Sequence, residues 1–491
     1  DALARQWITD ENRVVLASGP EKEGAAMPEE DTLRAVFAAV AAAQIPPYVD
    51  ATAGVPLLAE RPTPGSVVEA QTVEELGLTV WELANGVRVI LKPTDFKDDQ
   101  ILLDAWSPGG TSLAPDADYV AARTAPRVIE RGGVGEFSLV DLEKALAGKV
   151  VSVSPFIASL YEGLWGSVSP QDAETLFQLV YLYFTAPRRD RDAYLAFRRQ
   201  ITEELRNRGV DPDGAFRDTI QVTLAQHHPR QRPATVELYD EMDLDKSFAF
   251  YRDRFADAGD FTFVLVGSFD PDSLRPLVET YLGSLPSTGR VESWRDLGIR
   301  YPAGVIRKTV RRGVEPRSQT SLVFTGDWRY SRADLYALRA LGSVLEIRLR
   351  EVLREALGGT YSVGVSASGE RLPSEQFSVG IGFGSDPARV EELVGVVFQQ
   401  IDSLKAFGPT QAEVEKVQEM QRRARETALK ENRFWAQVLL EHDRFGTDPR
   451  DILTYEELIE GLTPEVVRDA ARRYLPTENY VWVTLYPEAA H

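Results

Sequence analysis

The chain of 491 residues contains no cysteine and only four histidines. Without thiols it forms no disulfide, thiolate zinc site or iron–sulfur cluster, and it has no cysteine nucleophile. No apolar run reaches the roughly 18 residues that a membrane span needs. Acidic residues outnumber basic ones by 75 to 55, so the chain lacks the basic surplus that attracts nucleic acid and anionic lipid. The composition therefore predicts a globular protein that neither inserts into membranes nor binds nucleic acid.

The four histidines do not form a recognisable metal site. His227 and His228 are adjacent, so on a helix their side chains would diverge by about 100° and could not easily share one ion. His442 has no histidine four residues away, and His491 is terminal. The sequence contains neither HExxH nor HxxEH. We therefore expect no metal bound by this chain.

A unit of apolar strand, polar turn and amphipathic helix occurs at residues 13–43, 261–285 and 377–401, which predicts a duplicated α+β fold. Dense proline and glycine predict a linker between domains over residues 44–71, and a second linker spans residues 287–304. The start lacks an initiator methionine and a signal-peptide pattern, so we expect a processed or truncated piece. The predicted organisation is the tail of a preceding α+β domain (1–43), an interdomain linker (44–71), and two α+β domains (72–290 and 305–491).

The segment from Glu346 to Ser368 carries the most informative pattern. A helix presenting Leu349 and Leu353 to a core should stop at a pair of glycines, after which a strand begins. Arg354 in the last helical turn and Tyr361 at the strand start would flank this corner, and their polar ends could converge on a ligand. A structural role stays open, because arginine complements a helix C-terminus and tyrosine is common in strands.

The stretch LREALGGTY, with Arg354 and Tyr361 seven residues apart, resembles the arginine and tyrosine pair of the pitrilysin and insulinase family of zinc metallopeptidases. The SPGG of residues 107–110 and the ERGG of residues 130–133 also match. The resemblance implies two processing-peptidase-like domains, each an antiparallel-rich sheet packed with helices. Two such halves close like a clamshell around an unfolded peptide. Arg354 and Tyr361 would then hold the substrate backbone and stabilise the developing oxyanion.

The family binds zinc through the histidines of HxxEH and a downstream glutamate, and the motif glutamate is the general base. The ERGG places the corresponding positions at Arg123, Pro126 and Arg127, where no ligand and no base remain. Glu203 or Glu204 lies near the downstream position without a partner ligand. The resemblance therefore implies a degenerate domain with no catalytic residue in this chain. Zinc-activated hydrolysis would belong to a missing N-terminal half or a partner chain.

The predicted function is thus the C-terminal half of a zinc metallopeptidase, contributing substrate contacts to peptide bond hydrolysis. The alternative is a catalytically inactive peptide-binding or scaffold relative of the same family. Expected partners are a peptide substrate and a catalytic half or partner subunit, with zinc held by the catalytic half and no cofactor held here. The resemblance favours the bacterial periplasm or cell envelope over the cytoplasm.

Overall fold

A computed structural model describes residues 2–9, 11–19, 26–44, 54–208, 211–357 and 363–488, without the side chains of residues 2, 4, 5, 207 and 354–357. The chain divides into two compact units, residues 1–54 and 55–491. Among the described residues, no helix combines the length and the hydrophobicity that crossing a membrane requires.

The first unit contains two helices, α1 (Ala2–Trp7) and α2 (Glu30–Ala42). The helix predicted after residue 28 is confirmed as α2, but none of its residues is buried within this chain. The strand predicted at residues 13–19 is wrong, since these residues form no regular structure. An isolated apolar run has no neighbouring strand to satisfy its backbone hydrogen bonds here. Residues 45–53 of the predicted linker lie outside the described residues.

In its described part, the second unit holds a seven-stranded and a five-stranded sheet. The seven strands are β1 (Val67–Val73), β2 (Leu78–Leu83), β3 (Arg88–Pro93), β4 (Ile101–Pro108), β5 (Val151–Ile157), β6 (Tyr161–Val168) and β7 (Thr262–Gly267). The five strands are β8 (Val305–Arg311), β9 (Ser318–Asp327), β10 (Val363–Glu370), β11 (Gln376–Ser385) and β12 (Tyr480–Tyr486). We call residues 67–286 the first lobe and residues 305–488 the second lobe. The first sheet thus begins inside the segment predicted as a linker, because β1 pairs along an exposed edge with β2.

Five strands keep the same order and sense in both sheets, which confirms the predicted duplicated α+β fold. The first sheet contains the order β3-β7-β4-β6-β5, and the second has β8-β12-β9-β11-β10. In each sheet the first pair is parallel and the others are antiparallel. The sequence repeat nevertheless paired two strands that do not correspond. Residues 261–285 and 377–401 equate β7 with β11, whereas the sheet order equates β7 with β12.

Helices cover the sheets in both lobes. The first lobe has α3 (Tyr119–Gly132), α4 (Leu139–Ala145), α5 (Ala173–Thr185), α6 (Arg191–Arg208), α7 (Pro212–Leu224), α8 (Val236–Tyr239), α9 (Leu244–Arg254) and α10 (Pro271–Leu277). The second lobe has α11 (Arg332–Leu357), α12 (Val390–Phe407), α13 (Gln411–Ala428), α14 (Asn432–Phe445), α15 (Tyr455–Glu460) and α16 (Pro464–Tyr474). The sequence predicted one helix over 411–434, but an extended residue, Glu431, separates α13 from α14.

One helix from each lobe packs on the outer face of the other lobe's sheet. From the second lobe, α14 packs Trp435, Ala436 and Leu439 against apolar residues of the first sheet. From the first lobe, α7 packs Phe216 against the apolar face of β12. Polar contacts add to the first of these interfaces; the Asp443 carboxylate, for example, accepts from the Trp106 indole at 2.9 Å. The outer face of each sheet is therefore partly covered by a helix of the other lobe, and the lobes share these two apolar clusters.

Candidate functional site

The positions predicted to replace the zinc ligands lie on α3, in the first lobe. Arg123 and Arg127, four residues apart, point from one exposed side of the helix, whereas Pro126 is buried. The proline side chain is a hydrocarbon ring without an acidic, basic or metal-binding atom, so it could not be an acid, a base or a ligand. Arg127 forms an ion pair with Glu130 at 2.9 Å. The exposed face of α3 therefore presents guanidinium groups.

The structure brings three of the four predicted positions together. Arg123, Arg127 and Glu204 line one cavity of about 370 Å³ between α3 and α6. The Glu204 carboxylate accepts a hydrogen bond from the Gln200 amide at 2.9 Å. Pro126 is not among the lining residues, since it faces the interior. Three of the predicted positions thus share one concavity, and its donor set is one carboxylate among arginines.

This donor set does not fit a zinc ion. Zinc takes thiolate, imidazole or carboxylate ligands, and a guanidinium carries no lone pair for a metal at neutral pH. Within the part of the chain that the structure describes, no group of three or more histidine, cysteine, aspartate or glutamate residues is placed to hold a metal ion. His228 accepts from the Arg230 backbone N–H in a turn, and the His442 ring bonds to Thr447. The described site is therefore chemically unable to repeat the family's metal chemistry.

A buried polar network fixes the loop that leads into α3. The backbone N–H of Gly110 donates to the Glu162 carboxylate, which is fully buried. Burial raises the pKa of Glu162 to about 8, although Arg254 lies 3.4 Å away and acts in the opposite direction. Gly110 has a φ of +63°, and an added Cβ would lie 2.5 Å from the Ala158 carbonyl oxygen. The SPGG motif is thus explained by close backbone packing against β6 and its preceding turn.

In the second lobe, the predicted arginine and tyrosine pair follows the long helix α11. Arg354 belongs to the last turn of α11, but its side chain and all of Tyr361 lie outside the described residues. Their convergence stays a prediction. The backbone on either side agrees with the expected corner, since Leu353 of α11 is buried and β10 begins with the buried Val363.

The frame of this corner is held by an ion pair between α11 and α13. Arg348 and Glu413 form it while both are mostly buried, and Arg348 also donates to the Gly408 carbonyl at 3.1 Å. Partial burial opposes ionisation of Glu413, but hydrogen bonds from Arg348 and Thr410 outweigh it and hold the pKa at about 2. This pair lies less than two turns before Arg354 on the same helix. It therefore fixes the C-terminal part of α11 against α13.

Two lobes of one topology form a duplicated α+β pair. Residues 241–421 match the family model described as "Peptidase M16 inactive domain". This match confirms the predicted resemblance to the pitrilysin and insulinase zinc metallopeptidases. The matched region is the family's inactive domain.

Similar proteins agree with this assignment. The chain is 25% identical over 458 residues to the zinc protease PQQL-like protein of Arabidopsis thaliana, covering 88% of this chain and 45% of that protein. The periplasmic protease PqqL of Escherichia coli has a similar fold, with 22% identity and a TM-score of 0.78 over 94% of this chain and 51% of that one. The ferredoxin protease FusC, in a mutant form complexed with Arabidopsis ferredoxin, superposes with a TM-score of 0.77 at 19% identity, covering 94% of this chain and 51% of that one. The chain spans about half the length of the relatives that it matches.

Proposed function

We propose that the chain acts as the non-catalytic half of an M16 zinc peptidase, forming one side of a chamber that closes on a polypeptide. The observation that carries this proposal is the cavity between α3 and α6, which Arg123 and Arg127 line at positions that the resemblance assigns to the family's zinc ligands, while Pro126 faces the interior. The chain length supports it, because each of the longer relatives has about as much sequence again. The zinc motif would then lie in a catalytic N-terminal half or a separate partner chain.

The contribution of this chain would be substrate contacts from the corner after α11. Arg354 and Tyr361 keep the family's spacing, and the backbone before and after them has the required helix and strand. A guanidinium and a phenol are hydrogen-bond donors that can hold a peptide carbonyl and stabilise charge that develops on its oxygen. The FusC complex with ferredoxin supports a polypeptide as the ligand. The E. coli relative supports the periplasm or cell envelope as the compartment.

The test combines the chain with its HxxEH-bearing half and follows cleavage of an unfolded casein substrate. We expect the 491-residue chain alone to contain no stoichiometric zinc and to cleave nothing, and the assembled halves to be active. Arg354→Ala and Tyr361→Phe should each lower turnover of the assembly by about 100-fold, the range for loss of one oxyanion donor. Arg350→Ala is the matched control, because Arg350 lies one turn earlier on α11 and pairs only with Glu346.

Three results would contradict the proposal. One zinc per chain in elemental analysis would contradict the loss of the metal site. Normal turnover in both corner variants would leave Arg354 and Tyr361 with a structural role alone. Peptide binding without cleavage, in the presence of every available HxxEH-bearing partner, would favour the inactive scaffold relative instead.

A further inference from the structure

Two adjoining cavities lie along the seam between the lobes, away from the α11 corner. Their volumes are about 300 and 490 Å³, and they share five lining residues, so they are direct neighbours. The smaller cavity receives side chains from both lobes and from the connecting segment 287–304. It lies beside the far end of β10, at Glu370, a full strand length from the corner that precedes Val363. Its aromatic lining residues are Trp106, Tyr161, Trp294, Tyr330 and Phe445.

Three arginines line the smaller cavity, and two of them are stacked on aromatic rings. The guanidinium carbon of Arg371 lies 4.1 Å from the ring centre of Tyr330 and 3.9 Å from that of Phe445. The guanidinium carbon of Arg444 lies 3.7 Å from the ring centre of Tyr161. Stacking occupies the faces of a guanidinium and leaves its N–H edges available. These two groups are therefore held in fixed orientations with their donors still free.

No hydrogen bond or ion pair joins Arg339, Arg371 or Arg444 to an acceptor among the described side chains and backbone groups. Arg444 Nε is moreover buried without any hydrogen-bond partner. The position of the Arg444 Nε is unfavourable by itself, because a buried donor without an acceptor loses its hydration and gains no hydrogen bond in return. In a chain of net charge −20, an acceptor on this chain would not have been scarce. The guanidinium N–H groups without a partner thus indicate an acceptor that is not part of this chain.

The charge around the cavity restricts what that acceptor is. Two exposed carboxylates, Glu370 and Glu441, also line it, so the formal local charge is three positive against two negative. A singly charged anion brings this sum to zero, whereas a doubly charged phosphate would leave a net charge of minus one. The planar fork of arginine matches the two oxygens of a carboxylate, and the aromatic walls suit an apolar group beside it.

We propose that the cavity lined by Arg339, Arg371 and Arg444 is a binding site for a carboxylate attached to an apolar or aromatic group, such as a peptide chain end. This site goes beyond the proposed peptidase role and does not depend on it, because binding is measured on the 491-residue chain without a catalytic half. A volume of about 300 Å³, beside a second cavity of about 490 Å³, accommodates one or two residues of a peptide.

The test is calorimetric titration with an N-acetylated tripeptide that ends in phenylalanine with a free carboxylate. We expect saturable one-to-one binding with a Kd below about 1 mM, and a change in tryptophan fluorescence because Trp106 and Trp294 line the site. The same peptide with a C-terminal amide should bind at least about 10-fold more weakly, as expected for loss of a charge-assisted hydrogen bond. Butyrate tests whether the carboxylate source is a peptide or a free acid; either one binding in an arginine-dependent way supports the site.

Arg371→Gln and Arg339→Gln should each weaken binding of the acid by about 10-fold. Arg339 is exposed, so its variant should fold normally even where loss of the stacked Arg371 affects the seam. Arg350→Gln, on the same helix as Arg339, is the matched control and should bind as the parent chain does. Equal binding of acid and amide, unchanged binding in both variants, absence of saturation by about 10 mM, or preferential binding of inorganic phosphate would overturn the proposal.

Discussion

The two lobes share one topology but differ in the helix that follows their second common strand. In the first lobe this helix is α3, with 14 residues, and in the second it is α11, with 26. The shorter helix ends at Gly132, where a Cβ would lie 2.6 Å from the Arg188 carbonyl oxygen. The longer one continues to Leu357 and contains Arg354 in its last turn. One scaffold thus carries arginines on the exposed side of its helix in the first copy and a helix nearly twice as long in the second.

Their ionisable groups also differ. The first lobe buries carboxyl groups without full compensation, so that burial raises the pKa of Asp260 to about 6 and that of Glu162 to about 8. The second lobe places Glu413 between Arg348 and the N-terminus of α13, which lowers its pKa. Glu162 and Asp260 should therefore stabilise the fold less as pH rises above about 5, and Glu413 should stabilise it less as pH falls below about 4.

The largest expected effect is zinc binding by a variant that carries the HxxEH motif on α3 of the first lobe. The triple substitution Arg123→His, Pro126→Glu and Arg127→His places imidazoles four residues apart on α3, facing the cavity that Glu204 lines. We expect zinc content to rise from none to about one per chain, measured by elemental analysis after gel filtration. Adding Glu204→Ala should lower zinc affinity at least about 10-fold. Failure of the triple variant to bind zinc would mean that α3 and α6 no longer have the family's spacing.

The next effect tests whether the lobes depend on each other's helices. Trp435→Ala removes the largest side chain that α14 buries against the first sheet, and Phe216→Ala does the same for α7 on the second sheet. Each should lower the free energy of unfolding by about 3–5 kcal/mol, the range for a large aromatic lost from a core. Because the cores are shared, urea denaturation should show both lobes unfolding earlier in either variant. A shift confined to one of two separate transitions would contradict this coupling.

A smaller effect concerns pH. Between about pH 5 and 8 the folded chain holds a proton on Glu162 that the unfolded chain has released, so stability falls as pH rises through this window. Glu162→Gln should flatten that fall by about 1–3 kcal/mol. Glu413 is ionised in the folded state down to about pH 2, so its contribution is present above about pH 4.5 and is lost on acidification. Denaturation curves at pH 3, 5 and 8 measure how the free energy of unfolding changes with pH on the acidic and the neutral side. The same pH dependence in the parent chain and in Glu162→Gln would contradict the role given to Glu162.

The smallest effect compares two ion pairs. Arg348→Ala breaks a mostly buried pair with Glu413 and should cost about 1–3 kcal/mol. Arg127→Ala breaks the exposed pair with Glu130, where the arginine side chain is 67% exposed, and should change stability by less than about 0.5 kcal/mol. Thermal melts at low and high salt measure both. Equal costs would show that the face of α3 is less solvated than its exposure indicates.

Much of the local structure could be predicted from sequence. The bounds of α6, α11 and α16 agree with the predictions, because amphipathic periodicity and end signals coincide there; Thr463 caps α16 and Pro464 occupies its first turn. The strand β8 was missed because its alternating charged residues resemble a loop, and it is stabilised by parallel pairing with β12. The sequence at residues 261–285 and 377–401 suggested the duplication, yet only the sheet order reveals which strands correspond.

The candidate sites also divide into those that the sequence predicts and those that only the fold reveals. The resemblance, carried by ERGG and by the spacing of Arg354 and Tyr361, singled out Arg123, Pro126 and Arg127, and helix periodicity predicted that Arg123 and Arg127 share a face. Arg371 and Arg444 carry no signal in sequence, since each is an ordinary arginine about 70 residues from the other. They meet at one cavity because α14 crosses from the second lobe onto the first sheet. The sequence by itself determined the resemblance and most of the helices, which depend on neighbours in the chain. The tertiary structure decided the exchange of helices and the arginine-lined seam, because burial of apolar faces between distant segments sets those contacts.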